Sequence, residues 1–274
     1  MERTLNRAGG MRMKWVFLLV NSLIFSAGVS GVHAEPTKVS SSSKCFTLLD
    51  GKNECVFTIW FVGEISSTSA NEVAALLDQN REWNGSKQLI IDSPGGNVDA
   101  SMTIGRLLRK NRMAILVAKG EFGEGACVSA CVLTFAGAVN RLHHGNIGIH
   151  RPYLNQSVGA QLQPADQVRS NYENMLQTIR AYLRDMNVSE RLAEDMLKIA
   201  PANVRYLSNQ DLNGYGLSYV DPIEQETIDL EDAQSIGLDR REYIRRQALQ
   251  DTRCGTLSNM KIDDLVAWVM KSGQ

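Results

Sequence analysis

The sequence predicts an α/β fold with a buried, mainly parallel sheet, and three observations carry that reading. Residues 88–92 (QLIID) and 113–118 (MAILVA) are continuous apolar runs without polar alternation, as strands covered on both faces require. Each is joined to a segment whose apolar residues recur at helical spacing. Glycine-rich loops at 93–96 and 120–125 punctuate the series. Strand, loop and helix in that rhythm describe layered α/β architecture.

Along the chain, residues 45–49 and 55–62 read as strands flanking a hairpin signal, Asp50-Gly51-Lys52-Asn53. Residues 69–83 follow with Val73, Ala74, Leu76 and Leu77 on one helical face, then the strand at 88–92. Residues 98–110 are helical, with Met102, Ile104, Leu107 and Leu108 as the apolar set. The strand at 113–118 leads through 120–125 into a helix over 129–137. Residues 145–150 (GNIGIH) form a further strand, stopped by Arg151-Pro152. A long amphipathic helix at 164–186 precedes a shorter one at 189–200, opened by Ser189 as N-cap. A helical turn over 206–216 and a short strand at 217–220 close the domain. The charged remainder, 223–274, reads as a C-terminal helical extension.

The ends of this plan come from composition. The 274 residues are 43% hydrophobic and 22% charged, with 29 basic against 30 acidic side chains, so no basic excess marks a nucleic-acid binder. The N-terminus reads as a signal peptide, residues 1–34. Arg3, Arg7, Arg12 and Lys14 precede an apolar stretch of about 18 residues ending at Val32-His33-Ala34, a small-x-small cleavage pattern. The alternative is a retained N-terminal membrane anchor, since that length is at the lower edge of what spans a bilayer. Cleavage after Ala34 leaves three histidines, His143, His144 and His150, in a periplasmic or secreted chain. The serine-rich residues 35–43 read as a flexible linker, and 44–222 as the folded domain.

Three segments carry chemistry. Asp92-Ser93-Pro94-Gly95-Gly96 follows a strand, where a sharp glycine turn exposes N–H groups able to hold an oxyanion. In Gly125-Ala126-Cys127-Val128-Ser129-Ala130-Cys131, a glycine-rich loop delivers a serine to the start of a helix, and the Ala130 N–H adds a second donor. Taken alone, Ser129 reads first as a helix N-cap. His150 ends an apolar strand, where it is placed to serve as general base or simply to be buried.

Together these segments resemble the proteolytic subunit of the Clp protease, within the ClpP/crotonase-like superfamily, and in particular its exported branch, in which cysteines flank the serine. The resemblance runs over about residues 56–222. It rests on Phe61-Val62-Gly63-Glu64-Ile65, Ser93-Pro94-Gly95-Gly96, Gly125 through Ser129-Ala130, Phe135-Ala136-Gly137-Ala138 and His150-Arg151-Pro152, with Tyr206-Leu207-Ser208, Tyr215-Gly216-Leu217 and Val220-Asp221 later. It implies a spiral of β-β-α units, with 164–186 as the handle helix of a homo-oligomer. It also implies a serine-type endopeptidase acting on peptides or unfolded segments. Ser129 matches the nucleophile, His150 the base, and Gly95, with Gly96 beside it, and Ala130 the oxyanion donors. No cofactor or metal is implied, and outside the cytoplasm no ATPase partner is expected.

The chain departs from the family at the third triad member, where the aspartate position falls on Ala200. Asp195, one turn earlier, and Asn203, three residues later, are the candidates, with Asp195 preferred for its charge. That departure keeps open a catalytically impaired binding or assembly module as the alternative; an acyl-CoA enzyme of crotonase type shares the fold. The five cysteines are read by compartment, since exported cysteines usually pair. Cys45 and Cys55 border the first hairpin. Cys127 and Cys131 bracket Ser129, and a disulfide there would fix its turn if Cys127 lies before the helix. Cys254 is then left over.

Overall fold

A computed structural model describes residues 37–47, 53–120, 123–154 and 164–258. The signal-peptide segment and the tip of the first hairpin lie outside the described residues. The core is a five-stranded sheet in the order β1-β2-β3-β4-β6, beside a three-stranded sheet ordered β5-β7-β8. These strands are β1 (Lys38–Thr47), β2 (Asn53–Val62), β3 (Ser86–Asp92), β4 (Ala114–Val117), β5 (Ala126–Val128), β6 (Asn140–His143), β7 (Asn146–Ile149) and β8 (Arg205–Tyr206), and the helices include α1 (Ser69–Gln79), α5 (Arg191–Leu197) and α6 (Asn209–Tyr215). In the large sheet only the edge pair β1–β2 is antiparallel. The small sheet pairs β5 with β7 in parallel and β7 with β8 antiparallel. The fold class is α/β, as the apolar strand runs predict: Leu89 and Ile91 of β3 and Ile115 and Val117 of β4 are fully buried.

The first strand departs from expectation. Residues 38–43, read from their serine content as flexible linker, pair with β2 over the register Lys38↔Val62 to Ser43↔Phe57. Serine disfavours neither strand geometry nor an exposed edge, and the backbone ladder outweighs composition. The Trp60 indole N–H donates to the Ser42 hydroxyl at 2.9 Å, giving the tract a side-chain anchor as well.

Two helices pack closely because of paired glycines. α2 (Val98–Lys110) begins at Asn97, whose side chain accepts the Ala100 N–H at 2.8 Å as N-cap. It lies against α3 (Cys131–Gly137), where a Cβ on Gly137 would come within 2.3 Å of the Gly105 backbone. A Cβ on Gly105 would also meet the Tyr182 hydroxyl. Tyr182 belongs to α4 (Ala165–Asp185) and is fully buried, its O–H donating to the Leu133 carbonyl at 2.6 Å. Burial pushes that phenol well above its ordinary value.

Asp221 clasps the far side of the domain. Its carboxylate accepts from Arg109 at 2.9 Å and from Asn187, lies 3.5 Å from buried Arg141, and caps α7 (Pro222–Ser235). Burial works against its ionisation, but Arg109, the Glu224 N–H and Asn187 outweigh it and hold the group below the usual carboxylate range. α8 (Arg240–Ser258) continues the helical extension. Residues 217–220, expected as a strand, contribute only one bridge, Asn140↔Val220. Among the described residues no helix is long and apolar enough to cross a membrane.

Candidate active site

The site is built where β3 and β5 end side by side. The Ser93 N–H donates to the Ala126 carbonyl at 2.7 Å, and the Val128 N–H returns to the Ser93 carbonyl at 3.0 Å. The Asp92 carboxylate also accepts from the Ala126 N–H at 2.9 Å. The glycine loop therefore runs as an extra strand between β5 and Ile65, whose N–H donates to the Gly95 carbonyl at 2.7 Å. Gly95 and Gly96 take φ of 100° and 138°, a backbone that side chains rarely permit.

The loop and the serine turn are in contact. A Cβ on Gly95 would stand 2.7 Å from the Ser129 Cβ and 3.0 Å from the Ala130 nitrogen. Of the two glycine N–H groups, that of Gly95 is already given to the Ser93 hydroxyl at 3.1 Å. Those of Gly96 and Ala130 meet no acceptor among the described residues. Two free backbone donors from touching segments can hold an anionic oxygen.

Ser129 is not a cap. α3 starts two residues later, its N-cap residue is Ala130, and no side chain caps it. Ser129 itself holds φ 60°, a left-handed conformation that costs a residue with a Cβ roughly 1–3 kcal/mol. Its N–H donates to the Gly148 carbonyl at 2.9 Å and its carbonyl accepts from Val132 at 3.1 Å. Its hydroxyl makes no hydrogen bond among the described residues. A strained, half-buried serine with an unengaged hydroxyl at a strand-to-helix turn has the geometry of a nucleophile elbow.

His150 follows β7, the neighbour of β5, and is 7% exposed. Its Nδ1 lies 3.0 Å from the Arg151 carbonyl oxygen. A carbonyl can only accept, so Nδ1 carries the proton and Nε2 is left with the lone pair a general base needs. The Arg151 N–H is in turn tied to the Ile199 carbonyl at 2.9 Å, next to Ala200. Tyr153 stacks on the imidazole with ring centroids 6.1 Å apart. Ser129, Ala130, Gly96 and His150 line one cavity of about 600 Å³, which Met175 and Ile179 of α4 also line. Ser129 and His150 share it without a direct hydrogen bond.

Neither candidate for a third member is hydrogen-bonded to His150 among the described residues. The Asp195 carboxylate accepts from Lys198 and from the Tyr215 hydroxyl, each at 2.6 Å, and these bonds hold it below the usual carboxylate range. Burial, with the bond to Asp195, pushes the Tyr215 phenol up to about 12. Asn203 is exposed on the surface. What the sequence reading missed is the Arg151 carbonyl, which no side-chain pattern can announce, and Tyr153, an aromatic three residues after the histidine. Among the described residues no group of His, Cys, Asp and Glu side chains is arranged to hold a metal ion.

Cys127 and Cys131 form a disulfide with Cα atoms 5.2 Å apart, enclosing Ser129. Cys45 and Cys55 form another, Cα atoms 4.0 Å apart, across β1 and β2.

The model of the Clp protease family matches residues 52–226. Among solved structures the chain is similar to a mutant of ClpP1 from Listeria monocytogenes, with 21% identity over 58% of this chain and 87% of that one, TM-score 0.45. It is also similar to a mutant of 1510-N, a membrane-bound stomatin-specific protease, with 17% identity over 63% of this chain and 82% of that one, TM-score 0.42. No curated protein matches.

Proposed function

Because the chain belongs to the Clp protease family, we propose that it is an exported, ATP-independent serine endopeptidase with Ser129 as nucleophile and His150 as general base. The observation that carries this reading is Ser129 held at φ 60° with an unengaged hydroxyl, in one cavity with His150 and the free Gly96 and Ala130 N–H groups. His150 Nε2 takes the hydroxyl proton as Oγ attacks a peptide carbonyl. The oxyanion is met by the two N–H groups, the amine leaves with the proton from His150, and water releases the acyl group by the same route. The Arg151 carbonyl holds the imidazole in the required tautomer, the task an aspartate performs in a triad.

Export is supported by the basic and apolar N-terminal residues and by two disulfides, which suit an oxidising compartment. A homo-oligomer formed through α4 completes the proposal. The test is hydrolysis of an unfolded polypeptide without nucleotide: the wild type cleaves it and Ser129→Ala does not. Equal cleavage by both proteins, or none by either, removes the peptidase reading. The second reading, an impaired binding module, is favoured by the absence of a carboxylate hydrogen-bonded to His150 among the described residues. It predicts peptide binding without turnover.

A further inference from the structure

Resting on the serine-hydrolase reading, we propose that the Cys127–Cys131 disulfide is the positioning element of the nucleophile, so that the site is complete only in the oxidised chain. The bond sits between the segments that build the site. Cys127 lies in β5 and bridges Ser93 of the glycine loop on one side and Ile147 of β7, the strand that leads to His150, on the other. Cys131 is the first residue of α3, adjoining the Ala130 N–H. One covalent link therefore joins the strand that registers both Gly96 and His150 to the helix that carries Ala130. Ser129 is the hinge between them.

The left-handed Ser129 needs restraint from its surroundings, because that backbone is unfavourable for a residue with a Cβ. Hydrogen bonds restrain Ser129 N–H and its carbonyl, and the disulfide fixes the distance across the turn covalently from both ends. Both cysteines are fully buried, so the pair is out of reach of reductant once the chain has folded. The redox state is set during folding, not toggled afterwards. The two thiols lose two electrons and two protons to the disulfide of a thiol–disulfide oxidoreductase, which leaves as the dithiol. A chain that folds before this exchange has the strands and the helix but not the fixed turn. The device confines acylation to protein folded under oxidising conditions.

The experiment compares the oxidised wild type, the wild type refolded in reductant, Cys127→Ala/Cys131→Ala and, as internal control, Cys45→Ala/Cys55→Ala. Fluorophosphonate labelling rate, kcat and KM on a peptide, circular dichroism, and hydrogen exchange over 93–98 and 126–133 are measured on each. Loss of the buried pair slows labelling about a hundredfold, the cost of misplacing a nucleophile by an ångström or so. The loss falls on kcat and leaves KM within about twofold, because the cavity walls are untouched. Exchange rises in both segments. Oxidised glutathione added during refolding restores labelling to the wild type and not to the double variant, and the control labels normally. Folded Cys127→Ala/Cys131→Ala labelling at the wild-type rate overturns the proposal. Should that variant fail to fold, the refolded reduced wild type decides: unchanged exchange over both segments overturns the clamp. An oxidised wild type that never labels sinks the hydrolase reading instead, while the exchange arm still judges the clamp.

Discussion

Cys45–Cys55 and Cys127–Cys131 are the same bond in two settings. The first joins residues directly opposite in the β1–β2 ladder, at an exposed sheet edge, where backbone pairing already holds the strands together. The second closes a four-residue step inside the core, where both cysteines are fully buried. Loop-closure entropy assigns the two similar stabilisation, about 2–3 kcal/mol each. Their difference lies in what they hold. The hairpin staple fixes a geometry that the ladder dictates; the buried staple helps to hold a serine backbone whose left-handed φ is intrinsically unfavourable. A constraint serves function where it opposes local preference, and serves stability where it agrees with it.

That contrast can be broken by perturbing the buried turn without touching sulfur. Gly95→Ala sets a Cβ against the Val128 carbonyl and the Ser129 Cβ at φ 100°. Fluorophosphonate labelling falls about 10²–10³-fold, as for loss of an oxyanion donor. Normal labelling by a folded variant would mean that loop and turn are not coupled. The buried cysteine pair comes next in size, with its hundredfold loss set against no loss for the hairpin pair, whose removal lowers only the melting temperature.

The Asp221 clasp belongs on the structural side of the contrast. Its carboxylate is held below its ordinary 3.8, so its stabilisation is complete above about pH 4 and is lost as pH falls through the lower folded value. Asp221→Asn lowers the melting temperature at neutral pH and flattens the acid limb of stability, while labelling of the folded protein stays within about threefold. Thermal melts between pH 2 and 7 check this. An unchanged acid limb would contradict it.

Asp195→Asn gives the smallest change. With the Arg151 carbonyl orienting His150, labelling stays within about threefold, whereas a true triad acid costs about 10⁴-fold. A loss of that larger size would return Asp195 to the site.

What the sequence discloses follows the same division. α2 is legible end to end, because Asn97 caps it, glycines precede it and its apolar residues keep one face. β3 and β4 are legible within two residues from their apolar runs. β5 and β6 are not, being three and four residues long beside glycine-rich or polar loops. The serine tract reads as linker because an edge strand takes its stability from the partner's backbone, which composition does not record. The helix expected from residue 129 starts at Cys131, since the left-handed Ser129 cannot be its first turn. Ser129, His150, Gly96 and Ala130 are named through the resemblance of their segments to a family; taken alone, Ser129 reads first as a helix cap and His150 as readily as a buried residue as a base. Between the two glycines the resemblance puts Gly95 first, whereas the Ser93 hydroxyl takes the Gly95 N–H and leaves that of Gly96 without an acceptor among the described residues. The partner of His150 is main chain, and main chain leaves no mark in a sequence.

Adduct mapping bears most closely on Ser129 as the activated nucleophile of the proposed reaction. The oxidised wild type is treated with a fluorophosphonate, digested and sequenced by mass spectrometry. The expected result is a single phosphonylated residue, Ser129, formed at a rate that drops sharply in His150→Ala. An adduct on any other residue, or none on a folded and oxidised chain, would contradict it.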